Sequence, residues 1–177
     1  MVVINPCDDV EARAAVKAAY EYVGPVYMRF GRLAVPVIND ESTYKFEIGK
    51  GVELRSGKDI TIIATGLPVS ESLEAAKFLA EDGIDAQVIN IHTIKPLDEE
   101  LVVKAAQATG RVFRVEEHSI IGGLGSAVME CLAEKNPVKV TRIGVRDTFG
   151  ESGPAKDLLH KCELDAEGIY KQIKAAL

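Results

Sequence analysis

Arg29 and Arg32 are the residues of this chain whose type and spacing best suit a charged ligand. They follow Gly24-Pro25 and a short valine-containing stretch, and Phe30-Gly31 separates them. In an extended strand this spacing places the two side chains on opposite faces, but the glycine can bend the backbone and bring both toward one anion. Paired guanidinium groups suit a phosphate or a carboxylate. A surface salt bridge is the alternative, and the residues alone favour it.

A second group of ionisable side chains, Glu116, Glu117 and His118, follows a valine-rich stretch at 111–115. Such a group at the carboxyl edge of a strand suits an acid–base pair or a metal ion, but a metal site needs more ligands at compatible spacing. The other two histidines lie in separate predicted elements. We therefore favour a polar cluster at a boundary between domains, because such groups are often structural.

The glycine-rich turn at 122–125 invites comparison with a dinucleotide-binding fingerprint. That fingerprint needs a third glycine and an acidic residue at the end of the next strand. Val128 occupies the third glycine position, and residues 141–144 contain no acid. We therefore expect a tight turn with close helix packing, without NAD binding. No Ser-His-Asp set, HExxH, P-loop or EF-hand pattern is present.

Composition and charge restrict the class of protein. The 177 residues can form one sizeable core, and 47% of them are hydrophobic. The net charge of −6 argues against nucleic acid and anionic membrane as partners. No apolar run approaches the roughly 20 residues that span a bilayer, and no signal peptide is evident. Cys7, Cys131 and Cys162 form no CxxC pair, so we expect reduced thiols and a cytoplasmic protein.

Strands and helices are expected to alternate along most of the chain. Hydrophobic spacing predicts strands at 26–30, 52–55, 60–65, 86–91, 111–116 and 138–143. It predicts helices at 9–22, 68–82, 99–108 and 123–134, and two final helices that begin near Pro154 and Asp165. Alternation with long connections implies parallel strands and right-handed crossovers. The expected fold is a three-layer α/β/α domain with a sheet of about five mostly parallel strands and one antiparallel edge strand, 52–55.

Two local predictions concern how these elements pair and pack. The short link at 56–59 predicts an antiparallel hairpin between the strands at 52–55 and 60–65. Helical spacing also predicts one apolar stripe along the first helix, formed by Ala12, Ala15, Val16, Ala19 and Tyr20.

Four segments, in order along nearly the whole chain, resemble the C-terminal part of the transketolase-like, thiamine-diphosphate-dependent enzymes. They are 24–32 (Gly-Pro-Val-Tyr-Met-Arg-Phe-Gly-Arg), 93–98 (Thr-Ile-Lys-Pro-Leu-Asp), 116–127 (Glu-Glu-His followed by Gly-Gly-Leu-Gly-Ser-Ala) and 149–153 (Phe-Gly-Glu-Ser-Gly). That family includes transketolase, 1-deoxyxylulose-5-phosphate synthase and the beta subunit of 2-oxoacid dehydrogenases. The chain looks most like the C-terminal section of a split, two-subunit bacterial transketolase.

The resemblance implies a division of the chain into three parts. Residues 1–37 look like the end of the pyrimidine-binding domain, 38–50 form a linker, and 51–177 look like the transketolase C-terminal domain. In this family the C-terminal domain packs against the pyrimidine domain and supports dimer formation. Thiamine diphosphate and Mg²⁺ lie between the other domains.

The resemblance also implies what this chain lacks and what it contributes. The diphosphate-binding GDG…N motif is absent, since the nearest match, Glu81-Asp82-Gly83, has no partner asparagine. The activating glutamate belongs to a segment that would precede Met1. Arg32 matches a family position for the substrate phosphate, and Arg29 matches it only in the deoxyxylulose phosphate synthase.

These matches imply part of an enzyme that transfers a two-carbon ketol unit between sugar phosphates, with an N-terminal section or subunit as its partner. We expect the isolated chain to be inactive. A piece of the synthase or of the dehydrogenase subunit, or a non-enzymatic ligand-binding regulatory domain, stays open as an alternative.

Overall fold

Eight strands and six helices make up the chain in a computed structural model that describes residues 1–177. The strands are β1 (Val2–Ile4), β2 (Val26–Met28), β3 (Val52–Arg55), β4 (Ile60–Ala64), β5 (Ala86–Asn90), β6 (Thr93–Lys95), β7 (Arg111–Ser119) and β8 (Lys139–Val145). The helices are α1 (Asp9–Glu21), α2 (Pro68–Glu81), α3 (Glu99–Thr109), α4 (Leu124–Lys135), α5 (Ala155–Lys161) and α6 (Ala166–Ala176).

The main sheet has five strands in the order β3-β5-β4-β7-β8, with β3 as the antiparallel edge strand. Helices α2 and α6 cover one face, where Ile62, Leu79 and Ile169 belong to one buried cluster. Helices α3 and α4 cover the other face, where Ile63 and Leu132 belong to a second cluster. The predicted three-layer α/β/α architecture, with one antiparallel edge strand, is confirmed.

The predicted hairpin between β3 and β4 is wrong, because β3 pairs with β5, with Val52 opposite Asn90. Strand β4 is buried at every position and pairs in parallel with both β5 and β7, so neither of its edges is free for β3. The link at 56–59 instead crosses the start of β5, where the backbone N–H groups of Lys58 and Asp59 donate to the carbonyl of Asp85. A short polar link therefore joins strands that are not neighbours.

A second sheet, with the order β2-β1-β6, contains two strands that the sequence analysis does not predict. Strand β1 pairs in parallel with β2 and antiparallel with β6. Because β6 follows directly after β5 of the main sheet, the small sheet joins the first 28 residues to the main domain. Strand β2 is shorter than predicted and ends at Met28. Strand β7 is longer than predicted and carries Glu117 and His118 within the strand.

Glu11 is the polar centre of the contact between α1 and the rest of the chain. Its side chain is fully buried, and its carboxylate accepts hydrogen bonds from the Cys7 backbone N–H at 2.7 Å and from Asn90 Nδ2 at 2.9 Å. The Tyr44 hydroxyl donates to the same carboxylate. Burial and then the negative charge of Glu11 raise the pKa of both the Cys7 thiol and the Tyr44 hydroxyl. Both groups therefore stay protonated, and Tyr44 keeps the proton that it donates.

Asp8 fixes the segment at 38–50 to the same end of α1. It caps the helix by accepting from the Glu11 backbone N–H at 2.8 Å. Its second carboxylate oxygen accepts from the backbone N–H groups of Ile38 and Asn39 at 2.9 and 2.8 Å. The start of the chain, the 38–50 segment and the end of β5 therefore share one polar network.

Replacing Glu11 by alanine should lower the free energy of unfolding by about 3 kcal/mol, because buried donors on three segments lose their acceptor. Urea denaturation measures the change. Glu21→Ala is the matched control, since Glu21 is exposed in the last turn of the same helix. Equal midpoints for the two variants would contradict the structural role of Glu11.

The residues of the predicted apolar stripe along α1 are only partly buried. Ala15 is fully buried, but Val16 is 53% exposed and Tyr20 is 91% exposed. Helix α1 turns Val10, Glu11 and Ala15 inward because the polar network at its first turn fixes its rotation. Val16 and Tyr20 are therefore exposed to solvent, and Val23 and Tyr27, later in the chain, are also exposed.

Two further findings concern the state of the cysteines and the length of the helices. Cys7, Cys131 and Cys162 are free thiols, and the first two are buried. None of the helices is both long enough and apolar enough to cross a bilayer.

Candidate functional site

A cleft of about 390 Å³ lies where the segment after β2 passes the end of β7. Its polar lining comes from Arg29 and Arg32 on the segment and from Glu117 and His118 on the strand. Leucines of the α5 region, including Leu158, form the apolar wall. The structure thus brings both sequence-predicted arginines and two of the three ionisable residues at 116–118 to one opening.

Neither arginine of the cleft is occupied by an acidic partner. The arginine side chains that form ion pairs within 4.0 Å are those of Arg13, Arg55 and Arg114. The backbone of Arg29 is fixed, since its N–H donates to the carbonyl of Ile4 at 3.0 Å. The salt-bridge alternative for Arg29 and Arg32 therefore has no partner in this structure, and both guanidinium groups are available to an anion.

Glu117 and His118 form the opposite side of the cleft. A Cβ atom on Gly31 would lie 3.9 Å from Glu117 Oε1, so β7 closely approaches the arginine segment. His118 Nδ1 is 3.9 Å from Glu117 Oε1, and the His118 side chain is 45% exposed. Burial and the nearby Arg29 guanidinium lower the pKa of His118, although Glu117 and Glu116 act in the opposite direction.

Earlier along β7, Arg114 and Glu116 form a buried ion pair. Arg114 Nη1 lies 2.5 Å from Glu116 Oε1, and the two side chains are 0% and 1% exposed. Arg114 also donates to the carbonyls of Ile143 and Ile120 at 3.3 and 3.1 Å. The pair therefore connects β7 to β8 and to the turn that precedes α4. Arg114 was not predicted as part of the site, and its only signal in the sequence is a charge within a valine-rich strand.

Gly123 and Gly125 leave space for the side chains of this ion pair. A Cβ atom on Gly123 would collide with the carboxylate of Glu116, and one on Gly125 would collide with the guanidinium of Arg114. Leu124, at the start of α4, donates its backbone N–H to Glu116 Oε2 at 2.9 Å. The Glu116 carboxylate thus occupies a backbone N–H group at the start of α4 that a nucleotide phosphate would need. Its negative charge would also repel that phosphate.

Gly125→Ala should lower the free energy of unfolding by about 3 kcal/mol or more, because Arg114 is buried and cannot move aside. Gly150→Ala should leave stability unchanged to within about 0.5 kcal/mol, since open space surrounds Gly150. Thermal unfolding of the two variants measures the difference. A tolerated Gly125→Ala would mean that the turn has no steric role.

Asp82, in the nearest sequence match to a diphosphate-binding motif, contacts α6. No group of three or more histidine, cysteine, aspartate or glutamate side chains is arranged to hold a metal ion. Asp82 of the Glu81-Asp82-Gly83 sequence accepts from the Tyr170 hydroxyl at 2.6 Å and pairs with Lys174 at 3.0 Å. These partners lower the pKa of Asp82 and tie the end of α2 to α6.

Known proteins resemble this chain in sequence. Residues 49–169 match the family model described as transketolase, C-terminal domain. The chain is 47% identical over 171 residues to the 6-deoxy-6-sulfo-D-fructose transketolase subunit SqwH of Clostridium sp. (strain MSTE9), covering 97% of this chain and 53% of that protein. It is 41% identical over 182 residues to 1-deoxy-D-xylulose-5-phosphate synthase 1 of Geobacter sulfurreducens, covering 100% of this chain and 28% of that protein.

A solved structure extends the likeness to three dimensions. The split gene transketolase described as an inactive beta4 tetramer superposes with a TM-score of 0.95 at 47% identity. The match covers 100% of this chain and 58% of that one. The chain thus spans about half the length of the split transketolase proteins that it matches. On these matches and on the five-stranded sheet with its antiparallel edge, the chain belongs to the transketolase C-terminal domain family.

Proposed function

We propose that this chain is the C-terminal section of a transketolase that moves a two-carbon ketol unit between sugar phosphates. In this proposal Arg32, together with Arg29, binds the anionic end of the sugar. The observation that carries the proposal is the cleft in which both guanidinium groups lie without an acidic partner. Arginine suits this task because its planar group donates several hydrogen bonds to one phosphate.

A partner section or subunit is proposed to cover the exposed side of residues 1–37. Two exposed apolar side chains, Tyr20 near the end of α1 at 91% and Val23 just after the helix at 97% exposure, support this role. Strand β2 lies at an edge of the small sheet, so one of its sides is free to pair with a further strand. We propose that 1–37 complete a pyrimidine-binding domain, that 38–50 link it, and that 51–177 form the C-terminal domain.

The cofactor of the proposed enzyme, thiamine diphosphate with Mg²⁺, is held by other parts of the protein. Thiamine diphosphate supplies the carbanion-stabilising chemistry when it is bound. The side chains of this chain do not fit it, because they form no metal-ligand cluster and because Asp82 is engaged with α6. We propose that this chain instead provides domain packing, supports assembly into a homodimer, and orients the substrate in a cytoplasmic enzyme.

The names of the relatives do not identify the sugar substrate of this protein. One acts on a sulfonated sugar by its name, and another is a 1-deoxy-D-xylulose-5-phosphate synthase. The second candidate function is therefore a part of such a synthase, and the presence of Arg29 favours it. Both candidates need an anion at the same cleft.

Ketol transfer by the assembled protein tests this proposal. The polypeptide that carries residues 1–177 is produced alone and together with its partner section, with thiamine diphosphate and Mg²⁺ in both assays. We expect two-carbon transfer between sugar phosphates by the assembly and none by the 177-residue chain alone. Turnover by the chain alone, or an assembly without transfer, would contradict the proposal.

A further inference from the structure

We infer that His118 takes up a proton when the anion of the substrate binds beside Arg29 and Arg32, so that the cleft selects a doubly charged phosphate over a singly charged sulfonate. The inference rests on the proposed function, because it assigns the anion to the same cleft. It adds a specificity-determining residue that lies on β7, in a different part of the chain from the arginines.

The position of His118 carries the inference. Its side chain lines the 390 Å³ cleft together with both arginines, and nearly half of the side chain is exposed to solvent. His118 and Arg29 also line a second groove together. No hydrogen bond ties up the ring, in contrast to His160 and His92, whose Nδ1 atoms lie 2.7 and 2.9 Å from Asp165 and Thr93.

The charges of the cleft show why a titratable group matters there. Two guanidinium groups and the single carboxylate of Glu117 leave one net positive charge while His118 is neutral. A protonated His118 raises that net charge to two. A phosphate monoester carries close to two negative charges at pH 7, because its second pKa is about 6. A sulfonate has no second ionisation and carries one charge at every relevant pH. The neutral form of His118 therefore matches a sulfonate, and the protonated form matches a phosphate.

The surroundings of His118 keep it neutral until an anion arrives. Its pKa is lowered by burial and by Arg29, and it is raised to a lesser extent by Glu117 and Glu116. The remaining charged groups that line the two openings around it are Arg32, Lys95, Glu99, Glu130 and Glu134. A bound dianion would offset the effect of Arg29 and favour the charged ring. Binding and protonation are then linked, so each strengthens the other by the same factor.

Proton uptake on binding is the measurable consequence. Methyl phosphate and methanesulfonate both present a tetrahedral head with three terminal oxygens, and they differ in charge and in one bridging oxygen, so they serve as probes. Each is titrated calorimetrically into the assembled enzyme at about pH 7.5, above the pKa of both the phosphate and the free histidine, in buffers of different ionisation enthalpy. We expect uptake of about one proton with methyl phosphate and none with methanesulfonate.

His118→Asn keeps a polar side chain of similar size and removes the titration. We expect the variant to abolish proton uptake and to weaken methyl phosphate roughly tenfold, with less than about a twofold effect on methanesulfonate. His160→Asn is the control, since His160 lies on α5 outside the cleft. It should leave both titrations unchanged.

The outcomes separate this inference from the proposed function. Phosphate binding that depends on Arg32 but takes up no proton, or that keeps its proton uptake in His118→Asn, overturns the inference alone. Binding of both anions that is unchanged in Arg32→Ala overturns the proposed function as well. So does a wild-type enzyme that binds neither anion.

Discussion

Replacing Arg32 by alanine in the assembled enzyme should raise KM for a phosphorylated donor sugar by about ten- to a hundredfold. Arg32 is exposed and forms no ion pair, so its removal costs the fold little. The loss falls on the charge-assisted contact with the anion, which is worth roughly 1.5–3 kcal/mol. Initial rates with a phosphorylated donor and with its unphosphorylated counterpart measure the effect.

The unphosphorylated donor is the internal control, because it never uses the contact. Its KM should change by less than about threefold. Arg13→Ala removes an exposed arginine of α1 that pairs with Asp9, outside the cleft, and should change neither donor. Arg29→Ala, measured alongside, tells whether one guanidinium or two hold the anion. Equal losses for the two donors in Arg32→Ala would show that Arg32 supports the fold instead.

Glu116→Ala should have the largest effect on stability, a loss of about 3–5 kcal/mol in the free energy of unfolding. The substitution leaves the fully buried guanidinium of Arg114 without its counter-charge. It also removes the acceptor for the Leu124 backbone N–H at the start of α4. Chemical denaturation of the single variant measures the loss.

A double variant separates two contributions to the free energy of unfolding: the penalty for leaving one buried charge unpaired, and the net stabilisation by the ion pair. Arg114→Leu with Glu116→Leu removes both charges from the interior, so it should be less destabilised than Glu116→Ala alone. Additive losses would show that the two side chains do not act together. A Glu116→Ala variant within about 0.5 kcal/mol of wild type would contradict the buried ion pair.

Local signals in the sequence predicted most elements of the main domain. Asp98 and Asp165 are typical helix caps, and they accept from the backbone N–H groups of Leu101 and Gly168 at the starts of α3 and α6. The order of the strands depends on long-range contacts, so the local pattern gave a wrong prediction for the pairing of β3. The link at 56–59 has the length of a hairpin turn, but the strand that pairs with β3 begins only at Ala86. Strands β1 and β6, with three residues each, are too short to show a period.

The candidate site was predictable only in part, for a physical reason. Residue types and a glycine identify Arg29 and Arg32 as a pair, but their role in binding stays a prediction. The sequence near Arg114 does not indicate that its charge is buried. The residues that allow the burial, Glu116 as counter-charge and Gly125 as a neighbour without a side chain, contact Arg114 only in the folded chain. The approach of β7 to Gly31 is likewise a tertiary contact between segments about 85 residues apart.

A crystal structure of the assembled enzyme with a phosphorylated sugar tests the central claim most directly. We expect the phosphate to lie in the cleft between the segment after β2 and the end of β7. Its oxygens should lie about 2.7–2.9 Å from the guanidinium nitrogens of Arg32. A sugar whose phosphate binds elsewhere, with the cleft at Arg29 and Arg32 empty, would contradict it.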